Sequence, residues 1–296
     1  MSTLLNDDTH AILLLCAFQG GEMDHLPLKL VEYNRVATVL YRSNRRPGDL
    51  LQAGSLSELA KNARVSLDRI QWLLERRINL GFSLEEWQRK GIWVMARSDP
   101  DYPVAIRKNM RNAAPPLLFG AGNQDLLNSG GLAVMGPDFI PEGRLKKACD
   151  LTGKHEAIVI VAGHLRVSKK IVQAVEERQG YILWVLHDGV LKQRLKKSHR
   201  RTIHNNRMVM ITTQSPCSFD QSDKQAVVGE LAVAFADEVL YVDGSNFRES
   251  SKRKDRFGTK SAALKRSEIC QLLHGRKISP EGQELRQRGV QSRVDK

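Results

Sequence analysis

The segment Ala157-Ile158-Val159-Ile160-Val161-Ala162-Gly163 is a continuous apolar run that ends at a glycine. Three similar runs lie around it, at residues 132–136, 181–189 and 238–244. Uninterrupted apolar runs of this length suit strands that are buried on both faces, and helix-like segments separate them along the chain. The sequence therefore predicts an α/β fold with a Rossmann-like parallel sheet, in which ligands bind beyond the carboxyl ends of the strands.

The chain is strongly basic. Its 296 residues include 46 Lys and Arg against 33 Asp and Glu, which gives a formal charge of +13 at pH 7. An apolar share of 41% is enough for a folded core. A charge excess of this size favours a polyanionic partner, and nucleic acid before a membrane surface. A soluble basic protein whose charges are only solvated is the alternative.

Cysteine usage and hydropathy point to the cytoplasm. The four cysteines are widely spaced, with no C-x-x-C and no histidine at ligand spacing, which is typical of reduced thiols. The apolar run at residues 11–16 is too short to cross a bilayer, and no basic segment typical of an export signal precedes it. We therefore expect a cytoplasmic protein without membrane contact.

Residues 1–95 are predicted to form a small helical domain, and residues 92–95 a short strand at its end. Asp8-Thr9 can cap the first helix. The pattern Leu59-Ala60, Val65-Ser66, Arg69-Ile70 resembles a helix-turn-helix, whose second helix would enter a DNA major groove. The turn lacks the usual glycine, so a plain helical packing unit is the alternative interpretation.

Two short motifs follow this region in order: Ser98-Asp99-x-x-Tyr102-Pro103 and Pro115-x-x-Leu118-Phe119-x-x-Gly122-Asn123. They resemble the DprA/Smf (DNA-processing protein A) family, in which D-x-x-Y-P and P-x-x-L-F-x-x-G-N lead directly into the Rossmann core. The core segments at residues 134–138, 161–166, 185–189 and 226–242 are similar to family segments in order and spacing. The resemblance covers about residues 8–244, and it identifies a divergent, DprA-like chain.

The resemblance implies both an architecture and a function. It implies a Rossmann-like DprA core at residues 96–250, between a helical domain at 1–95 and a basic extension at 251–296 that is partly helical or disordered. It also implies binding of single-stranded DNA, handover of the strand to a RecA-type recombinase, and a homodimer. The chain departs from the family where Pro137-Asp138 replaces an arginine and Asp223-Lys224-Gln225 replaces R-N-R.

The candidate DNA-binding residues lie mostly where strands are predicted to end. Gly136 and Gly163 let a backbone amide approach a phosphate at the next helix, although both can equally serve only a tight turn. The run at residues 192–207 contains no acid and would lay positive charge along the ligand edge, unless it is merely a solvated basic helix or loop. The predicted DNA-binding residues are Gly136, Gly163, His164, Arg166, Lys192, Arg194, Lys196, Lys197, Arg200, Arg201, Asn205, Arg207 and Lys224.

Motifs for catalysis, cofactors and metals are missing from the sequence. It contains no complete G-x-G-x-x-G and no P-loop, so we expect no nucleotide cofactor. Ser198, His199 and His204 have no neighbouring carboxylate, and the aspartates lack the spacing of metal ligands. We therefore expect no enzyme activity. A nucleotide hydrolase in the Rossmann-like pocket is the alternative.

The leading hypothesis is a non-enzymatic protein that binds single-stranded DNA through its backbone, in DNA processing and recombination. The basic residues 251–296 would assist this as a tail, since they hold thirteen basic and five acidic residues. The alternative is a DprA-like antitoxin, the regulatory partner of a cognate toxin in a bacterial phage-defence system. Loss of the family's pocket residues while the apolar runs persist would suit this alternative.

Overall fold

The computed structural model describes residues 5–19, 25–52, 56–137, 140–218, 225–242 and 247–250. The N-terminal region is helical, as predicted, with a 3₁₀ turn at Pro47–Leu51 between its second and third helices. Its helices are α1 (Asp7–Cys16), α2 (Leu30–Arg42), α3 (Ser57–Ala63), α4 (Leu67–Glu75) and α5 (Arg77–Arg89). The predicted basic extension at 251–296 lies outside the described residues.

Helix α1 is buried along most of its length because the residues from Ala11 to Leu15 are all apolar. The predicted cap at Asp8-Thr9 is wrong, because the N-cap is Asn6, whose side chain accepts a 2.8 Å hydrogen bond from the Thr9 amide. Asp8 instead accepts a 2.8 Å hydrogen bond from the Gly48 amide, so it joins α1 to the 3₁₀ turn.

The helix-turn-helix pattern forms two helices, α3 and α4, joined through Arg64 in the left-handed conformation (φ 52°). Asp68 and Glu75 lie on the exposed side of α4, where carboxylates would repel DNA phosphates. Arg69 is held by Glu32 through hydrogen bonds of 2.8 and 3.1 Å. These contacts favour the packing-unit interpretation over DNA reading by α4.

The predicted α/β fold is confirmed, and the sheet has eight strands in the order β1-β2-β6-β5-β4-β3-β7-β8. Five neighbouring strands pair in parallel, namely β6, β5, β4, β3 and β7. The β1–β2, β2–β6 and β7–β8 pairs are antiparallel. The strands are β1 (Ile92–Ala96), β2 (Leu117–Gly122), β3 (Leu132–Met135), β4 (Val159–Ala162), β5 (Ile182–Val185), β6 (Met208–Thr212), β7 (Glu238–Val242) and β8 (Phe247–Ser250).

Four apolar runs of the sequence correspond to β3, β4, β5 and β7, but the sequence did not predict β6. All five residues of β6 are buried, as are the four residues of β3, of β4 and of β5. Strands covered on both faces account for these runs, which lack polar alternation.

Helices cover both faces of the sheet. The N-terminal helices share one apolar core with Phe119 of β2, Val161 of β4 and Trp184 of β5, whereas Ile160 and Leu183 face the second core. The helices that follow β1 are α6 (Val104–Met110), α7 (Glu142–Gly153), α8 (Arg166–Glu177), α9 (Lys197–His204) and α10 (Gln225–Phe235). Since the N-terminal helices and the sheet share a core, packing continues across residue 95, where the sequence placed a domain boundary.

The Asp99 and Tyr102 motif fastens the sheet to the N-terminal helices. Asp99 accepts hydrogen bonds from the Thr9 hydroxyl (2.6 Å), the Asn6 side-chain amide (2.9 Å) and the Ala96 amide (2.7 Å). The buried Tyr102 donates a 2.8 Å hydrogen bond to the Pro115 carbonyl. The motif therefore has a structural role, in which it positions α1 against the edge of the sheet.

Among the helices that the structure describes, none has both the length and the apolar composition needed to cross a membrane.

Candidate nucleic-acid interface

The turn after β4 is built around Gly163, whose φ of 66° is a left-handed conformation that favours glycine. Its amide donates a 2.8 Å hydrogen bond to the Val185 carbonyl, and its own carbonyl accepts a 2.8 Å hydrogen bond from the Trp184 indole. Both backbone groups are therefore used inside the protein. This geometry favours the structural interpretation of Gly163 over a contact between its amide and a phosphate.

Gly136, which follows β3, lies against the next strand in the sheet. A Cβ atom at this position would be 2.6 Å from the Val242 carbonyl oxygen and 3.0 Å from Cδ1 of Ile140. Glycine is therefore required for the close approach of β3 and β7. Pro137 follows and has no amide hydrogen to offer an anion.

Trp184 of β5 contacts two histidines, His164 in the turn after β4 and His199 of α9. The ring centroids of His164 and His199 are 5.7 and 5.4 Å from that of Trp184, and both pairs meet edge to face. Burial lowers the pKa of His164, and the charge of Lys169 adds to this effect. Burial also lowers the pKa of His199, against the opposing effect of Glu176. Burial therefore favours the neutral form of both imidazoles.

A cavity of about 250 Å³ opens beside this group. It combines apolar walls with three cationic side chains, and the charged residues are exposed. The residues that line it are His164, Lys169, Trp184, Leu186, Gln193, Arg194, Leu195, Lys196, His199 and Met210. Sequence analysis singled out His164, Arg194 and Lys196 from this set but did not assign Trp184 or His199 to the site.

The basic run forms two parts: a segment that follows the carboxyl end of β5, and then the helix α9. Lys192, Arg194 and Lys196 are exposed in the segment before the helix. On α9, Lys197, Arg200 and Arg201 are exposed, whereas His199 and Thr202 are buried. We call these six exposed cations, Lys192, Arg194, Lys196, Lys197, Arg200 and Arg201, the basic ridge.

Helix α9 is fixed to its neighbour by its buried face. The Thr202 hydroxyl donates a 3.1 Å hydrogen bond to Glu176 of α8. Nε2 of His199 lies 3.8 Å from the other carboxylate oxygen of Glu176. These contacts anchor the helix that carries Lys197, Arg200 and Arg201 of the basic ridge.

The structure does not bring all predicted site residues together. Asn205 and Arg207 lie after α9, at the amino end of β6 and therefore at the opposite edge of the parallel sheet. Arg207 donates a 2.8 Å hydrogen bond to the Gln179 carbonyl. Arg166 is the first residue of α8 and forms an ion pair with Glu142 of α7. Lys224 lies outside the described residues.

Within the described ranges, no three His, Cys, Asp or Glu side chains are grouped as a metal site would require. His187 and Asp188 follow β5, with Nδ1 of the histidine 3.4 Å from Oδ1 of the aspartate. This contact is long for a hydrogen bond that would orient a catalytic base.

Comparison of the sequence with models of known protein families gave no match, and neither did comparison with individual curated proteins. Comparison with solved structures did find similarity. DNA processing protein A (DprA) from Streptococcus pneumoniae superposes with a TM-score of 0.57 at 15% identity, over 93% of this chain and 86% of that one. The chain has the DprA fold. The resemblance found in the sequence is thereby confirmed at the level of the fold.

A second DprA structure, from Helicobacter pylori, is similar over a smaller part of the chain. It superposes with a TM-score of 0.40 at 15% identity, over 51% of this chain and 68% of that one. That structure concerns the single-stranded DNA binding mode of the Helicobacter pylori protein.

Proposed function

We propose that this chain is a cytoplasmic protein that binds single-stranded DNA through its phosphates, in DNA processing or recombination. The observation that carries the proposal is the basic ridge: six exposed cations on α9 and on the segment before it, which begins at the carboxyl edge of a sheet with the DprA fold. Lys and Arg side chains in such an arrangement contact phosphates without reading sequence.

Charge and geometry both support this proposal. The residues from 189 to 207 include no acid, so the ridge has no competing carboxylate of its own. Ligands of open α/β sheets bind beyond the carboxyl ends of the strands, and the ridge begins there. Because the glycine turns supply few free amides, we expect side-chain cations to provide most of the contact with the phosphates.

The experiment is equilibrium binding of single-stranded and double-stranded DNA, by fluorescence anisotropy at several salt concentrations. We expect the logarithm of affinity to fall linearly with the logarithm of salt, with a slope of about 0.7 per single-strand phosphate neutralised. Tighter binding to single strands than to double strands is expected. No binding even at about 50 mM salt, where phosphate contacts are strong, contradicts the proposal.

In keeping with the resemblance, we extend the proposal to a homodimer that hands its strand to a RecA-type recombinase. Light scattering of the purified protein tests the dimer. Transfer of labelled single-stranded DNA to a RecA-type protein, followed by polarisation, tests the handover.

A second candidate function is that of an antitoxin that binds a toxin. Ile78 and Phe82 of α5 favour it, because these large apolar side chains are one helical turn apart and 75% and 71% exposed. Co-expression with the product of a neighbouring gene tests this role. If that product arrests growth and this chain relieves the arrest, Ile78→Asp with Phe82→Asp should abolish relief, whereas alanine at four ridge cations should preserve it.

A further inference from the structure

A second exposed surface lies on helix α2, outside the basic ridge. Asn34, Thr38 and Tyr41 are spaced four and three residues apart, so their side chains form one stripe along this helix. The stripe ends at Tyr41, which is 85% exposed. Arg42, the last residue of α2, is exposed next to it. The helix therefore presents an aromatic ring and a guanidinium group to solvent together.

The other end of the stripe is held by hydrogen bonds. The side-chain amide of Asn34 donates a 2.7 Å hydrogen bond to the Asn112 carbonyl. Its Oδ1 accepts a 2.9 Å hydrogen bond from Arg97, the residue that follows β1. Arg97 also donates a 3.1 Å hydrogen bond to the Ala114 carbonyl. These contacts fix α2 against the turn that contains Arg111.

Arg111 has an uncommon backbone conformation, with φ 50° and ψ −117°. Such a conformation costs a residue with a side chain about 1–3 kcal/mol, and strain of this kind is concentrated at functional sites. The hydrogen bond between Asn34 and Asn112 helps to hold the turn, and the Arg111 side chain is exposed. Since Tyr41 lies seven residues after Asn34 on the helix, it is about 10 Å further along the axis. The stripe therefore runs from one exposed arginine to another.

The chain around this stripe is basic. Residues 33–48 contain four arginines and no acid. Arg46 is paired with Asp8 at 2.8 Å, whereas Arg42 is exposed at the end of the helix. Surfaces that bind single-stranded nucleic acid combine cations, which contact the backbone, with aromatic rings on which bases stack. The basic ridge supplies cations of this kind, and the α2 surface adds the ring.

The sheet places both surfaces beyond the same edge. Because β1 is antiparallel to β2 and β2 is antiparallel to β6, β1 and β5 both end at the carboxyl edge. The chain continues from β1 towards the Arg111 turn and from β5 into the basic ridge. Three strand spacings separate β1 from β5, which is about 14 Å. One single strand can therefore reach both surfaces.

From these features we infer a second contact for single-stranded DNA on the helical N-terminal region, which we call the α2 contact. Tyr41 stacks on one base, while Arg42 and Arg111 bind neighbouring phosphates. The inference rests on the proposed DNA-binding function, to which it adds a base contact outside the ridge. Bases in a duplex are enclosed in the stack, so the α2 contact favours single strands over double strands.

The stacking role is tested by equilibrium binding of an oligothymidylate of about 20 nucleotides, longer than the roughly 4–16 nucleotides of one typical site. Tyr41→Ala should bind about tenfold more weakly than the parent, and Tyr41→Phe should bind like the parent, because stacking needs the ring and not the hydroxyl. Tyr181→Ala is the matched control, since this tyrosine is 44% exposed and precedes β5 at the opposite edge. It should bind like the parent.

An abasic strand with the same number of phosphates isolates the base contact. The parent and Tyr41→Ala should bind this strand equally. Arg42→Ala with Arg111→Ala should instead weaken binding of both strands and flatten the salt slope by about 0.7 for each lost phosphate contact. Arg89→Ala with Lys154→Ala removes the same charge at exposed positions and should keep the slope closer to that of the parent.

Photo-crosslinking locates the contact directly. An oligonucleotide that carries 5-iododeoxyuridine should crosslink to the tryptic peptide of residues 36–42, in which Tyr41 is the aromatic residue. Mass spectrometry of the digested complex identifies this peptide. The same crosslink should be missing from Tyr41→Ala.

Loss of affinity in Tyr41→Ala that Tyr41→Phe restores supports the α2 contact. If Tyr41→Ala or Tyr181→Ala changes affinity as little as the other, the α2 contact is overturned, and a steep salt dependence of the parent leaves the proposed function intact. If the parent binds neither strand, both fail. If alanine at four ridge cations leaves binding that Tyr41→Ala removes, the α2 contact is supported and the ridge is not the main DNA site.

Discussion

Trp184 donates a 2.8 Å hydrogen bond from its indole nitrogen to the carbonyl oxygen of Gly163, and this bond joins two neighbouring strands where the candidate site begins. The acceptor residue has φ 66°, so Gly163→Ala should reduce the free energy of unfolding by about 1–2 kcal/mol through backbone strain. Urea unfolding measures this change.

Gly81→Ala is the control for this glycine. It lies inside α5, where an added Cβ meets no other atom within 4 Å. Alanine there should raise stability by about 0.5–1 kcal/mol, because glycine costs more entropy in a helix. Equal effects of the two substitutions would contradict a strained role for Gly163.

Asp99 is expected to be important for stability because it accepts three hydrogen bonds, including one from the fully buried Thr9. Asp99→Ala should lower the free energy of unfolding by about 2–4 kcal/mol, because it leaves these donors without an acceptor. Asp101→Ala, at an exposed neighbouring position, should have little effect. Similar losses for both variants would show that Asp99 does not fasten α1 to the sheet.

The central strands could be predicted because burial on both faces leaves a direct record in the sequence. Runs around Val134, Val161 and Trp184 contain few polar residues, and each is a strand in the structure. Strand β6 was missed although it is equally buried, because it directly follows Arg207 and does not end at a glycine. A search for apolar runs without regard to the following glycine would have found it.

That missed strand explains why the predicted site residues lie at both edges of the sheet. Without β6, the whole basic run was assigned to the carboxyl edge of the sheet. A strand parallel to β5 requires the chain to return to the amino edge first, and α9 makes this crossing. Arg207 therefore lies at the amino edge of the sheet, whereas Gly163 lies at the carboxyl edge. The contact of Trp184 with His199 depends on the same crossing, so sequence spacing alone did not predict it.

Acid should destabilise the protein partly through His199. Burial lowers its pKa in the folded state, so between that pKa and the unfolded value of about 6.5 the unfolded chain binds more protons. The contribution of buried His199 to the free energy of unfolding is therefore fully present above about pH 6.5 and is lost as pH falls through this window. Urea unfolding at several pH values should show that, as the pH falls, the free energy of unfolding decreases less for His199→Gln than for the parent.

The control for this pH dependence is His204→Gln, an exposed histidine of the same helix. It should reduce the loss of stability at acid pH less than His199→Gln does. If both variants behave like the parent, burial of His199 does not contribute to the acid sensitivity.

The protein is expected to leave nucleoside phosphates and DNA strands chemically unchanged. His187 and Asp188 are the candidates for a hidden active site, since they follow β5 and lie 3.4 Å apart. Chromatography of nucleotides and gel analysis of DNA after incubation with the protein measure turnover. Turnover that disappears in Asp188→Ala or His187→Ala, and persists in Asp101→Ala, would assign an enzyme activity to this edge.

The final prediction separates the basic ridge from the tail at residues 276–296. Alanine at Lys196, Lys197, Arg200 and Arg201 removes four charges of the basic ridge, so equilibrium affinity for single-stranded DNA should fall and the salt slope should flatten. The reduction is about 0.7 for each lost phosphate contact. A control with the same loss of charge carries alanine at the exposed residues Lys61, Arg89, Lys108 and Lys154. It should retain more of the affinity and the slope.

Deletion of residues 276–296 should act chiefly on the association rate at low salt, because a distant charge steers encounter more than it holds the complex. Stopped-flow association and equilibrium titration of all three variants distinguish these effects. If the deletion abolishes equilibrium binding while the ridge variant binds like the parent, the DNA site is on the tail. The core would then require a protein partner as its explanation, which would favour the antitoxin role through Ile78 and Phe82 over DNA binding by the core.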